Sequence, residues 1–206
     1  MQAILQFNEN ISRVRALGAL HYSISGMTTS AIDSSDMLRA QLVLCVSALD
    51  HYVHEVTVEG MLEVFSGNRN ATDALSRFPL QSNILLNSSG NSINISHVEQ
   101  AIREKHSFLS FQQPDKVADA IRLICSCKLW DELSNRMGRP VRDLKNELAL
   151  IVDRRNKIAH EADLDPSYPG QRWSITSSDV NGVIDFIERL CSNIDDIVDI
   201  NYQCTT

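Results

Sequence analysis

Apolar positions recur along this chain at three- and four-residue steps, the spacing that lines up one face of an α-helix. Ile4, Phe7, Ile11, Val14 and Leu17 form the first such stripe. Gly18 and Gly26, with the Ser/Thr cluster between Ser23 and Ser35, are expected to end it. A long helix is predicted from Ser35 to Phe65, with Leu38, Leu42, Cys45, Leu49, Tyr52, Val53 and Val56 facing a core and Gly67 as its C-terminal stop. Residues 87–94, rich in Ser, Asn and Gly, read as loop, and Ser96 with Glu99 matches a capping box that opens a short helix. Pro114 suits the first turn of the next helix, which Val117, Ile121, Ile124, Leu129 and Leu133 carry to Met137, where Gly138 ends it. Pro140 restarts the chain, and Leu144, Leu148, Ile151 and Val152 carry a helix into residues 155–160. A loop with Pro166, Pro169 and Gly170 follows. Ser177 or Ser178 then caps a last helix through Val183, Phe186, Ile187, Leu190, Ile194 and Ile197.

No segment alternates as a strand does. The pattern predicts an all-α protein, an up-and-down bundle of about five or six helices. There is no internal repeat and no linker long enough to force two domains, so a single domain is expected over residues 1–206, with an N-terminal helix and loop at 1–34 and a core bundle at 35–200. A chain of 206 residues is long enough to bury roughly 70% of its unfolded surface.

Composition narrows the function. The formal charge is -7, which opposes indiscriminate binding to nucleic acid. The charge is uneven, however. Between Arg136 and Lys157 seven cations (Arg136, Arg139, Arg142, Lys145, Arg154, Arg155 and Lys157) face three anions (Asp143, Glu147 and Asp153). This segment has two readings, a solvated helix face or a surface for phosphates, and it leads directly into the most distinctive stretch of the chain. The five cysteines (Cys45, Cys125, Cys127, Cys191 and Cys204) are odd in number and lack metal-type pairing. Cys45, Cys125 and Cys191 fall on apolar patterns and read as small core residues, which points to a reducing compartment. No apolar run approaches the ~18 residues of a membrane span. The N-terminus has neither a basic leader nor a long apolar core, and the expected address is the cytoplasm, with no membrane partner.

The distinctive stretch is Arg155-Asn156-Lys157-Ile158-Ala159-His160. Arginine stays charged and offers a planar fork that matches phosphate oxygens. Histidine gains or loses a proton near neutral pH. RNA brings its own nucleophile, the ribose 2′-hydroxyl, so an arginine and a histidine can suffice for phosphodiester cleavage with no cofactor or metal. On a helix Asn156 and His160 share a face, and Asn156 could orient His160 or touch substrate. Arg155 and His160 point about 140° apart, which one straight helix does not aim at one atom. A second copy related by two-fold symmetry would create a cleft lined by two of each.

Other residues are weaker candidates. Asp50 and His54, four apart on the long helix, could form an auxiliary acidic or proton-moving pair. His51 and His54 are three apart without a clear third ligand, a poor metal signal. Lys157 is an RNA-binding candidate, and Arg154 either contacts RNA backbone or pairs with Asp153 or Glu161. Trp173 and Tyr168 read as loop aromatics folded back on the bundle rather than base-stacking platforms.

Val152-Asp153-Arg154-Arg155-Asn156-Lys157-Ile158-Ala159-His160-Glu161-Ala162-Asp163 resembles the signature segment of the HEPN superfamily, whose nuclease members carry Arg, a polar residue and a His after a short gap. The segment Leu42–Glu55 resembles the long helix of the RiboL-PSP-type branch, and so do Asp163-Leu164-Asp165-Pro166 and Trp173-Ser174-Ile175-Thr176 after the signature. The resemblance spans roughly Ser35 to Ile197. It implies a HEPN-like helical fold and a homodimer with facing signatures. It also implies a metal-independent endoribonuclease with Arg155, His160 and Asn156 at its catalytic site, in a toxin or antiphage defence system, with RNA as substrate and an antitoxin or defence protein as partner. Some toxins of the superfamily are silenced by nucleotidylation of a tyrosine two residues after the histidine; Ala162 and Asp163 stand there, so that control route lacks its acceptor. The alternatives are a HEPN-like module that binds RNA or assembles without cutting, and a regulatory partner in a two-gene cassette.

Overall fold

The long apolar stripe at 35–65 becomes the axis of the molecule. The computed structural model describes residues 2–29, 32–79 and 94–203, and within them every regular element is helical. The order is α1 (Gln2–Met27), α2 (Ser35–Phe65), α3 (Asp73–Ser76), α4 (Ile95–His106), α5 (Pro114–Arg122), α6 (Leu129–Met137), α7 (Val141–His160) and α8 (Ser177–Gln203). A lone antiparallel bridge, Leu164 to Arg172, pinches the loop between α7 and α8.

α2 packs against α1, α4, α5, α7 and α8. Fifteen of its residues are buried, which is why its apolar pattern runs almost all the way round rather than along one stripe. One hydrophobic core extends from Ala3 to Val198, with Phe7, Ile11, Leu49, Tyr52, Leu144, Leu148, Ile184 and Ile187 fully enclosed. Each such side chain contributes roughly 1.5–3 kcal/mol relative to exposure. Cys45, Cys125 and Cys191 belong to this core, as their apolar setting predicts.

Four local expectations are corrected. α1 does not stop at Gly18 but runs on to Met27. Gly18 instead makes room: a Cβ there would lie 2.4 Å from the Gln41 side chain. That side chain donates from Nε2 to the Val14 carbonyl (2.9 Å) and ties α2 to α1. α4 is capped not by Ser96 but by Asn94, whose side chain accepts from the Ser96 and His97 amides. The expected helix 114–137 is broken into α5 and α6 at residues 123–128, where Leu123, Ile124 and Cys125 close α5 with backbone bonds to Ala120 and Ile121. The cap of α8 is Thr176, whose hydroxyl accepts from the Asp179 amide while the Asp179 carboxylate accepts from the Thr176 amide. Splitting one expected helix and adding the single turn α3 gives eight helices among the described residues, where about six were expected. Other stops stand as predicted: Gly138 ends α6 at φ 65 and Gly67 follows α2 at φ 77, conformations that favour glycine. The polar loop expected at 87–94 lies outside the described residues except for Asn94, as does Cys204.

Candidate active site

The site is built on the last turn and a half of α7. Leu144, Leu148, Ile151 and Val152 seat the helix in the core. Its final residues therefore emerge from a fixed base. Arg154 to Ile158 are half-buried, while Ala159 and His160 are exposed. Lys157 places positive charge at the C-terminal end, where the helix dipole favours it.

Arg155 is held without being neutralised. Its NH1 donates to the Asn156 side-chain oxygen (3.0 Å). Its Nε is buried and has no hydrogen-bond partner. Among the described residues no carboxylate pairs with it. The structure thus gives Asn156 a different partner from the one expected: its oxygen serves Arg155, not His160. The His160 ring has no hydrogen-bond or ion-pair partner among the described residues. Arg155 and His160 remain five residues apart on one helix, about 140° around its axis.

The preceding arginine has the opposite fate. Arg154 NH2 donates to Asp163 Oδ2 (2.9 Å) and to the Ser174 carbonyl (3.1 Å). Burial pushes its guanidinium below the ordinary value, against the pull of Asp163. Asp163, only 1% exposed, also accepts from Arg39 Nε on α2 (2.7 Å). Of the two sequence readings of Arg154, the ion pair is present, but with Asp163 instead of Asp153 or Glu161. Lys157 pairs with Asp153 one turn back (2.9 Å), and that hydrogen bond raises its ammonium above the ordinary value.

The wider basic segment is largely compensated. Arg136 faces Asp196, Arg139 pairs with Glu147, and Lys145 reaches Asp115. With Arg154 and Lys157 also paired, Arg142 and Arg155 are the two cations of residues 136–157 that have no carboxylate partner among the described residues.

Asp50 and His54 lie elsewhere. The Asp50 carboxylate accepts from the Phe111 amide (2.6 Å) and from Gln112 Nε2 (3.0 Å), anchoring the connection between α4 and α5. His54 lies 3.9 Å from Asp50 and packs its ring 4.5 Å from that of Phe111. Neither makes a hydrogen bond or ion pair with Arg155, Asn156 or His160. Trp173 is half-buried, and Tyr168 is exposed rather than folded back.

Beside the end of α7 lies an open hollow of about 490 Å³, floored by Ala40, Val43, Leu44, Ile158 and Ala162. Leu44 is 50% exposed and also lines a second hollow with Val14, Ala48 and His51. An apolar face of α2 therefore adjoins the signature.

The family model described as RiboL-PSP-HEPN matches residues 8–199. The match takes in α1 from Asn8 onward, which the sequence resemblance from Ser35 left out. No curated protein and no solved structure matches the chain.

Proposed function

Because the chain belongs to the RiboL-PSP-HEPN family, we propose that it is a metal-independent endoribonuclease acting as a homodimer, with Arg155 and His160 as its catalytic residues. The family points to a nuclease or RNA-binding role. What carries the nuclease reading is Arg155, a half-buried guanidinium with no carboxylate partner among the described residues, on the same helix end as an exposed histidine that is likewise unpartnered among them. A structural arginine at such a place would be paired with a carboxylate, as Arg154 is with Asp163.

In this reading the ribose 2′-oxygen attacks the adjacent phosphorus, one histidine takes its proton, and the 5′-oxygen leaves with a proton from a second imidazole. Arg155 holds the phosphate and stabilises the charge that builds on its oxygens. Asn156 keeps the Arg155 fork oriented. The products carry a 2′,3′-cyclic phosphate and a 5′-hydroxyl. One helix offers one histidine, angled away from its arginine. A second copy supplies the missing group, and the apolar α2 face around Leu44, next to Ile158 and Ala162, is the surface on which it would dock. We assign the activity to a toxin or antiphage defence system with an antitoxin or defence protein as restraint. His160→Ala and Arg155→Ala, purified as folded dimers, should each lose RNA cleavage; retained cleavage in either sinks the assignment.

One observation favours a second reading, an RNA-binding or assembly module that does not cut: the paired state of Arg136, Arg139, Lys145, Arg154 and Lys157, in a chain of net charge -7. RNA bound but left intact across varied substrates would establish it.

A further inference from the structure

The exit of α7 is held by a charge cluster that the signature does not include. After His160 the backbone passes through Ala162 at φ 51 and Asp163 at φ 58, two successive non-glycine residues in the left-handed region. Such a conformation persists only where its surroundings over-determine it. Here they do. The Asp163 amide donates back to the Lys157 carbonyl (3.0 Å), and the Asp163 carbonyl accepts from the Trp173 amide (2.9 Å). Asp163 Oδ2 accepts from Arg39 Nε (2.7 Å) and Arg154 NH2 (2.9 Å). Arg39 is itself fixed by donating to Ser35 Oγ (2.6 Å) and to the Trp173 carbonyl (2.8 Å). Two guanidiniums thus share one carboxylate that is 1% exposed, and its other oxygen, Oδ1, is buried without a partner. Burying charge this way is poor engineering for stability alone, since an apolar cluster of similar volume is often as stable. What it supplies is direction. The α2 side chain, the α7 side chain and the returning chain at 173–174 meet at one carboxylate three residues past His160.

We propose that Arg39, Asp163 and Arg154 form a positioning clamp that fixes the direction in which His160 leaves the end of α7. The clamp touches neither substrate nor the reacting atoms; it acts through the helix end. Its catalytic meaning rests on the ribonuclease reading, but its effect on the histidine does not. An imidazole displaced by about 1 Å loses on the order of 100-fold in rate.

The chain's own histidines supply the test. Ring signals of His21, His51, His54, His97, His106 and His160 are recorded by NMR in the full-length protein and in Asp163→Asn, with single-turnover RNA cleavage alongside. The expected result is a shifted or broadened His160 signal with the other five unchanged. The cleavage rate should fall on the order of 100-fold at saturating RNA, while half-saturation moves less than about twofold. Arg39→Lys, which keeps the charge and loses the fork, should move the same two readouts in the same direction and carries the test if Asp163→Asn does not fold. An unmoved His160 signal with unchanged cleavage overturns the clamp. So does a joint shift of all six rings, which would make the cluster a support of the whole fold. If the wild-type protein cuts no RNA, the ribonuclease reading fails and the His160 signal alone decides the clamp.

Discussion

Arg154 and Arg155 are neighbours in sequence and opposites in the fold. Arg154 spends its guanidinium on Asp163 and the backbone of residues 173–174. Arg155 keeps a buried, unpartnered Nε and a single side-chain contact to Asn156. One face of the last turn of α7 is thus structural and closed, and the other is uncompensated and open. A basic run is therefore not by itself a site. Pairing subtracts most of its charge, and what remains marks where an external anion would be welcome.

The largest effects should fall on the open face, through activity alone. His160→Ala is expected to slow RNA cleavage by about 10²–10⁴-fold and Arg155→Ala by about 10²–10³-fold. Both should leave unfolding free energy within about 1 kcal/mol of wild type, because neither residue supports the core. The closed face should respond through stability as well as through the placement of His160. Asp163→Ala leaves two arginines without their shared carboxylate and should lower urea-unfolding stability by about 3–5 kcal/mol. An Arg155→Ala variant that unfolds as easily as Asp163→Ala would erase the contrast.

Two smaller effects sharpen it. Lys157 is paired only with exposed Asp153, so Lys157→Ala should weaken RNA binding evenly across sequences and reduce the salt slope of affinity by about one. Away from the site, burial, with lesser contributions from His54 and Lys105, pushes His106 from its ordinary 6.5 down to about 4. Between those values the unfolded chain binds more protons than the folded one, so stability should fall as pH drops from 6.5 to about 4 and level off below. His106→Phe should flatten that part of a denaturation-versus-pH curve while leaving the pH dependence of cleavage unchanged.

Much of the fold was legible because its helices carry their own signals. The stripe from Leu38 to Val56, Pro114 at a helix start and Gly138 at a helix end each act locally, through burial, a missing amide and a left-handed turn. The misreadings had separate causes, one of them a tertiary contact and another a break that apolar spacing does not reveal. Gly18 looked like a breaker and is a docking slot for Gln41; the α5–α6 break is invisible to periodicity, since Ile124, Leu129 and Leu133 keep apolar spacing across it. The Arg155–His160 stretch could be found from residue chemistry, but its surroundings could not. Arg39 lies 124 positions from Asp163, and no spacing rule joins them. One faint signal was available: an arginine set next to Leu38 within the apolar pattern of the long helix. Asp50 shows the converse, a carboxylate at suggestive helical spacing whose bonds go to the Phe111 amide and Gln112.

The most direct test of the central claim is sequencing of RNA ends after induction of the wild-type chain and of His160→Ala in cells. New ends bearing 2′,3′-cyclic phosphates and 5′-hydroxyls are expected in the wild type, and none of them with His160→Ala. The same ends in both, or none in either despite RNA binding, would contradict the claim.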